Sequence, residues 1–350
     1  ARVNADVVGL YDSARLQNPT LGGSASTWAD LDAAATKALK AAGRKVVLTN
    51  TVLSPSLKRA INSYCAAHGA EHVQYDAVSY RAIREIAAAD FGRNEFPTFD
   101  FSAADAVVTL GADFMGTWAD SLRYASDWAS RRRPEAGSMA KLFAFESTLS
   151  LTGSNADHRS MVTPADTGRV AAALLAELTG GSGASGLDAR IKAAVAVAAK
   201  ALKKAGSKGL VVSGSNDIHV QRLVGAINRA LGAEGATIKW TGNQMFAGDH
   251  GALAALTADM KAGKVASLVL HACNPAYNAP DAAGFSAGLG KVAFSVSTAL
   301  FVDETASRCS AVAPTHHWLE SWGDLQRASG SIELMQPTIA PLFSSREAGE

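Results

Sequence analysis

The chain has 350 residues, 48% of them hydrophobic, with 33 basic against 32 acidic side chains and a formal net charge of +1. At roughly 100–200 residues per domain this length allows two or three domains with sizeable cores, and the apolar content excludes a disordered chain. The balanced charge removes the electrostatic case for nucleic acid or an anionic membrane surface, since both select a concentrated excess of Lys and Arg.

In chain order, Val7 to Asn18 is a short apolar run followed by a polar loop. A helix begins near Ser26 or Thr27, whose hydroxyls suit an N-cap, and runs to about Ala42. Lys45 to Thr49 is short, β-branched and preceded by Gly43, so it reads as a strand. Pro55 to His68 carries Leu57, Ala60, Ile61 and Tyr64 at helical spacing. A strand at His72 to Tyr75, a helix at Ser79 to Ala89 and a long polar loop through Phe96-Pro97-Thr98 follow. Ala106 to Leu110 is nearly all apolar, as a strand covered on both faces would be.

A similar order recurs: strand Gly209 to Gly214, helix Asp217 to Leu231, strand Thr237 to Trp240, helix Leu253 to Lys261 and strand Leu268 to Leu270. Lys45 to Asp76 matches Lys208 to Gly242 in kind, and Asp105 to Phe114 matches Ala266 to Pro275. Strand–helix alternation with buried parallel strands implies right-handed crossovers, and so two doubly wound, mostly parallel α/β units. The expected organisation is a lead segment and helix over 1–44, a first α/β unit over 45–178 and a linker with an Ala-rich helix over 179–207. A second unit with the start of a C-terminal extension then covers 208–350. Thr179 to Gly186 has a flexible-linker composition. The start at Ala1 and the ending Ser345 to Glu350 are expected to mark a processed or partial polypeptide.

Cys65, Cys273 and Cys309 lie far apart with no CxxC pair, so neither zinc nor an iron–sulfur cluster is expected within these residues. No apolar run reaches the roughly 18 residues of a membrane span. In open parallel sheets ligands sit beyond the carboxyl ends of the strands, which selects Leu110 to Phe114 and His271 to Pro275. There Asp113 or Asn274 could bond a ribose or ring amide, while Gly111 and Pro275 equally serve to turn the chain. Asn216 or Asp217 reads as a helix cap, and Arg131-Arg132-Arg133 as a solvated helix end or partner contact rather than a phosphate clamp. No GxGxxG follows a strand, the chain has no GxxxxGK[ST], and its one GxSxG run, Gly284 to Gly288, does not directly follow an expected strand as a nucleophile elbow would. His316-His317 with Glu320, and Asp303-Glu304, are the polar clusters with acid–base potential, and both also suit internal hydrogen bonds or subunit contacts.

These segments together resemble the molybdopterin oxidoreductase superfamily, and most closely the molybdopterin-like domain of the iron–sulfur (B) subunit of alternative complex III. The resemblance rests on Ala106 to Phe114, Lys141 to Glu146, Leu149 to Asp157 and Pro164 in the first half. In the second half it rests on Asn274-Pro275, Pro280-Asp281, Asp303-Glu304-Thr305-Ala306, Ala313-Pro314 and Leu319 to Asp324. His316 to Asp324 together with Phe114 to Trp118 points to the complex III relative.

Against that family's pattern, Glu146-Ser147-Thr148 stands where active relatives read Asp-Pro-Arg, and Pro164 to Gly168 scrambles their Pro-Gly-Thr-Asp turn. Only Asp76 and Ser79 are placed where a molybdenum ligand would be expected. The resemblance with these departures implies a scaffold with no catalytic, cofactor-binding or metal residue of its own. Iron–sulfur clusters are then expected in the rest of the polypeptide or an adjacent chain. The implied partners are a ferredoxin-like iron–sulfur module, multihaem cytochromes and polytopic membrane quinol-binding subunits, in a membrane-associated complex on the periplasmic side. The alternatives are an active molybdopterin oxidoreductase on a small oxyanion or sulfur compound, with Ser79 or Asp76 near the metal and the Asn274 loop on the nucleotide, or a free-standing nucleotide-binding protein.

Overall fold

The structure, a computed structural model, describes residues 2–182 and 185–350. It is α/β with mixed parallel and antiparallel sheets, and the chain divides into two compact units. The first comprises Ala1–Ser79, Ala247–Arg327 and Ser331–Glu350; the second comprises Tyr80–Phe246 and Ala328–Gly330.

The first unit holds a seven-stranded sheet. Its order is Ser24–Ala25, Thr20–Leu21, Ala311–Pro314, Phe294–Ala299, Val265–His271, Arg44–Thr49 and Ala70–Gln74. The last five strands are mutually parallel, and Thr20–Leu21 runs antiparallel to Ala311–Pro314. Taken in chain order the parallel strands stand 2-1-3-4-5, so the order reverses between Arg44–Thr49 and Val265–His271. Val46, Leu48, Leu268 and Leu270 pack one face against Leu256, Met260 and Phe285. Their neighbours Val47 and Val269 occupy the opposite face, because successive side chains alternate along a strand. The helix Pro55–His68 forms as its sequence dictates: the Ser54 hydroxyl accepts from the Leu57 N–H, Pro55 sits in the first turn, and Gly69 ends it at φ 60°.

The second unit holds four parallel strands in the order His158–Met161, Lys141–Glu146, Ala106–Leu110, Gly209–Ser213. Both faces of the three strands Lys141–Glu146, Ala106–Leu110 and Gly209–Ser213 are covered, which is why they read as largely apolar runs, whereas the edge strand His158–Met161 is mostly exposed and polar. Val108, Leu110, Phe143 and Val211 pack against Leu174, Leu202 and Ile227. Val107, Leu142, Leu210 and Val212 pack against an aromatic core of Phe96, Phe101, Phe114, Tyr124 and Trp128.

Three expectations are corrected. The boundaries at 45–178 and 208–350 fail because the second unit is inserted between the second and third parallel strands of the first. Strands expected to belong to different halves are therefore sheet neighbours: Arg44–Thr49 pairs with Val265–His271, and Ala106–Leu110 with Gly209–Ser213. The stretch 179–207 lies within the second unit, where helices Thr167–Thr179 and Ala189–Ala205 share one core; Gly183 and Ala184 of the expected linker lie outside the described residues.

The second correction concerns Phe96–Phe99, expected as a polar loop. It is a fully buried strand paired antiparallel with Ile238–Gln244, so the Thr237 to Trp240 segment belongs to this small sheet and not to the four-stranded one. The third is the membrane-associated, periplasmic placement implied by the resemblance. Among the described residues no helix is long and apolar enough to cross a membrane, and the placement is not retained.

Candidate functional site

In the first unit, the loops after Arg44–Thr49 and Val265–His271 flank the point where strand order reverses, the usual ligand position in such sheets. Here the chain's own groups hydrogen-bond one another. The Asn50 side-chain amide donates to the Ala272 carbonyl at 2.7 Å, across a residue held at φ 51°. Asp76 accepts from the Thr51 N–H at 2.8 Å, from the Thr51 hydroxyl at 2.6 Å and from the Gly248 N–H at 3.2 Å. A Cβ at Gly248 would collide with the Asp76 carboxylate, so the approach requires glycine. Both carboxylate oxygens of Asp76 thus hold two loops together, and Ser79 is likewise engaged.

The Asn274 and Glu304 loops, singled out separately in the sequence, interlock. The Asn274 amide donates to the Glu304 carboxylate at 2.7 Å, and its oxygen accepts from the Thr305 hydroxyl at 2.7 Å. The Ala276 N–H donates to the same hydroxyl at 3.0 Å, and Asp303 accepts from the N–H groups of Thr305 and Ala306 at 2.9 and 2.7 Å. Donation from Asn274 holds the Glu304 carboxyl below the usual carboxylate range. That contribution is present above the ordinary carboxylate value and lost as pH falls through the folded one. Thr305 is fully buried, so Thr305→Val is expected to leave the Asn274 oxygen and the Ala276 N–H unpaired. The expected cost is about 1–3 kcal/mol per group, read as a lower denaturation midpoint with faster amide exchange at Ala276.

In the second unit, Gly111 lies at φ 67°, and the Gly214 N–H donates to the Leu110 carbonyl at 3.1 Å. A Cβ at Gly214 would run into the Gly111 carbonyl, so the two strand-end loops are closed against each other. Asp113 turns inward: its carboxylate accepts from the Thr152 N–H and hydroxyl at 3.0 and 2.8 Å, and its carbonyl accepts from Gly116, Thr117 and Trp118. Glu146, 7% exposed, accepts from the Ser150 hydroxyl and Arg159 Nε, both at 2.6 Å. Pro164–Asp166 is a short 3-10 turn in which Asp166 accepts from Thr163 and Arg169, which hold its carboxyl below the usual range.

Of the two cap candidates, Asp217 caps the helix Ile218–Leu231, accepting from the His219 N–H at 2.7 Å, whereas Asn216 accepts from the Ala82 N–H of a distant helix at 3.0 Å. Arg131 pairs with Asp105 at 2.5 Å and Arg132 doubly with Asp157 at 3.1 Å, so these two guanidiniums are tied to carboxylates of the chain itself.

The His316 to Glu320 cluster of the first unit is a structural corner. His316 Nδ1 lies 2.6 Å from the Ser345 hydroxyl, and His317 Nδ1 accepts from the Leu319 N–H at 3.2 Å. Glu320 forms an ion pair with Arg15, both side chains fully excluded from solvent, and also accepts from the His317 and Leu342 N–H groups at 2.9 and 2.8 Å. Nothing in the sequence marked Arg15: its partner is 305 residues away, beyond the reach of any local spacing rule. The cysteines are held as thiols, burial pushing Cys273 well up and Cys309 up to about 11. Among the described residues no group of three or more His, Cys, Asp or Glu side chains converges as a metal site.

No family model matches the chain. The menaquinone reductase molybdopterin-binding-like subunit of Nitratidesulfovibrio vulgaris is 26% identical over 295 residues, covering 72% of this chain and 43% of that protein. This chain therefore spans less than half the length of that relative. Among solved structures, acetylene hydratase from Pelobacter acetylenicus matches with a TM-score of 0.71 at 12% identity, over 99% of this chain and 61% of that one. A chain of the formyltransferase/hydrolase complex from Methylorubrum extorquens matches with a TM-score of 0.63 at 17% identity, over 95% of each chain. The chain is a distant match to a molybdopterin-oxidoreductase-like fold.

Proposed function

We propose that this chain is a cofactor-free, non-catalytic scaffold of a quinol-oxidising electron-transfer complex of the alternative complex III type. Its two units are read as doubly wound domains of the molybdopterin-oxidoreductase type, kept for the surfaces they present to electron-carrying subunits. Those partners are a ferredoxin-like iron–sulfur module, multihaem cytochromes and quinol-binding subunits that pass electrons to cytochrome c or a similar acceptor.

One observation carries the reading: each polar side chain at a position the family would use is bonded within the chain. Asp76, at the expected metal-ligand position, has both oxygens on Thr51 and Gly248 N–H or O–H groups. Glu146, in place of the aspartate of active relatives, is buried on Ser150 and Arg159, and Asn274 is bonded to Glu304 and Thr305. These residues do not fit a pterin nucleotide and metal: recruiting them would strip several hydrogen bonds and leave buried polar groups unpaired. The molybdopterin-binding-like description of the Nitratidesulfovibrio subunit, within a menaquinone reductase, supports a quinone context.

The test is elemental and pterin analysis of the full-length protein purified natively with its partners. The expected result is no molybdenum or tungsten assignable to this chain, with loss of quinol oxidation when the chain is deleted. Stoichiometric molybdenum or tungsten with extractable pterin would overturn the scaffold reading in favour of an oxidoreductase acting on a small oxyanion or sulfur compound.

A further inference from the structure

The second unit concentrates unpaired positive charge on one helix, in a chain whose net charge is only +1. The helix Ala189–Ala205 carries Arg190, Lys192, Lys200, Lys203 and Lys204, all exposed, and no acidic residue. Among the described residues none of the five has a carboxylate partner. Residues 190, 193, 197, 200 and 204 recur at helical spacing and so share one face. Two of them, Ala193 and Val197, wall a half-open groove of about 420 Å³ whose floor is Phe143 and Phe145. Across the groove lies the edge strand His158–Met161, paired on one side only. The Asp157 N–H donates to the Leu142 carbonyl of the inner strand at 3.0 Å, so alternation turns the N–H groups of His158 and Ser160 to the open side. The charged side chains of this strand wall are spoken for: Asp157 is held by both Arg132 nitrogens at 3.1 Å, and Arg159 by Glu146 at 2.6 Å.

From this geometry we infer that the groove docks an acidic segment of a partner protein, extended along His158–Met161, with apolar side chains in the groove and carboxylates on Arg190, Lys200 and Lys204. The inference stands apart from the scaffold reading and holds whether or not the chain carries a cofactor. Charge selects the occupant: three cations on the groove face attract carboxylates and repel a second copy of the same face. The order along that face is Arg190, then Ala193 and Val197, then Lys200 and Lys204, which matches a segment acidic at both ends and apolar between. From Arg190 to Lys204 the helix rises about 21 Å, the reach of about six extended residues. A cavity of roughly 150 Å³ takes a benzene-sized guest, so this groove has room for more than one apolar side chain. A nucleic-acid strand shares the charge preference, but no Phe, Tyr or Trp ring is among the exposed large hydrophobic side chains of this unit to stack a base.

The test is fluorescence titration of the full chain with the labelled peptide acetyl-Glu-Glu-Leu-Thr-Val-Glu-Glu-amide, with amide exchange read on the complex. The peptide should bind at least about tenfold more tightly than one counterpart with Lys for Glu and another with Ser for Leu and Val, and its affinity should fall as salt rises. Exchange should slow at the His158 and Ser160 N–H groups, which an added strand covers. The variant R190E/K200E/K204E should lose at least about tenfold in affinity, and V197E, which sets a like charge in the groove, should lose as much. All four side chains are exposed, so both variants should keep the wild-type unfolding temperature. Absence of binding, equal affinity for the Ser counterpart, unchanged exchange at His158 and Ser160, or full affinity in either variant would each overturn the assignment. Tighter binding of an oligothymidylate than of the peptide would overturn it in favour of nucleic acid. The wild-type exchange measurement decides the matter should a variant fail to fold.

Discussion

Arg15→Met or Glu320→Leu, each made alone, is expected to destabilise the first unit by about 3–5 kcal/mol, because each leaves a buried charge without its partner. The pair is fully excluded from solvent, and Glu320 also takes N–H donors from His317 and Leu342. One carboxylate thus ties together the segment around Arg15, the His317 corner and the bend at Leu342. The double variant should recover part of the loss, since replacing both partners by apolar side chains removes the desolvation cost with the attraction. A double-mutant cycle in urea measures the coupling, and additive single losses would show that the pair has no joint role. The pH dependence has a definite sign. Burial alone would raise the Glu320 carboxyl, but the Arg15 guanidinium and the two N–H donors hold it below its ordinary value of 4.5. Its stabilisation is therefore present above about pH 4.5 and lost as pH falls through the folded value, and Glu320→Gln should flatten that acid limb.

Phe114→Ala is expected to cost the second unit about 3–5 kcal/mol, the range for removing a buried aromatic ring from a packed core. Phe114 is fully buried, stacked on Phe101 with centroids 4.1 Å apart and 18° between planes, and edge-on to Trp128 at 6.2 Å. Its loop is pinned by Asp113, so the surroundings have little freedom to collapse into the void. Hydrogen exchange should show protection falling first at Ala106–Leu110 and Phe96–Phe99, whose side chains share that core. Phe114→Leu, which refills most of the volume, should recover more than half the loss; equal losses for Ala and Leu would show that packing is not what the ring supplies.

Much of the local structure was legible because its causes are local. The helix Pro55–His68 was readable from the helical spacing of Leu57, Ala60, Ile61 and Tyr64, and the structure adds its Ser54 cap and the glycine that ends it. Ala106–Leu110 was readable from an apolar run with both faces to bury. Phe96–Phe99 was missed because Pro97 reads as a turn, yet the segment pairs with a single neighbour, Ile238–Gln244, in a two-stranded sheet where a proline is tolerated. The candidate positions Asp113 and Asn274 could be listed from their places after strands, and Asp76 and Glu146 from the resemblance alone. Their bonding to Thr51, Thr152, Arg159 and Glu304 could not, because a hydrogen bond depends on which loops meet.

By itself the sequence determined the α/β class, the kinds and most positions of the elements, and the cap role of Asp217, since alternation, capping and burial act over a few residues. The tertiary structure alone decided that the 80–246 stretch is an insertion, because which strand lies beside which is set by the path of the chain and not by its periodicity. It also decided that His317 and Glu320 meet Arg15 in a buried corner. Pairing two charges 305 residues apart depends on the folded sheet bringing both chain ends to one place.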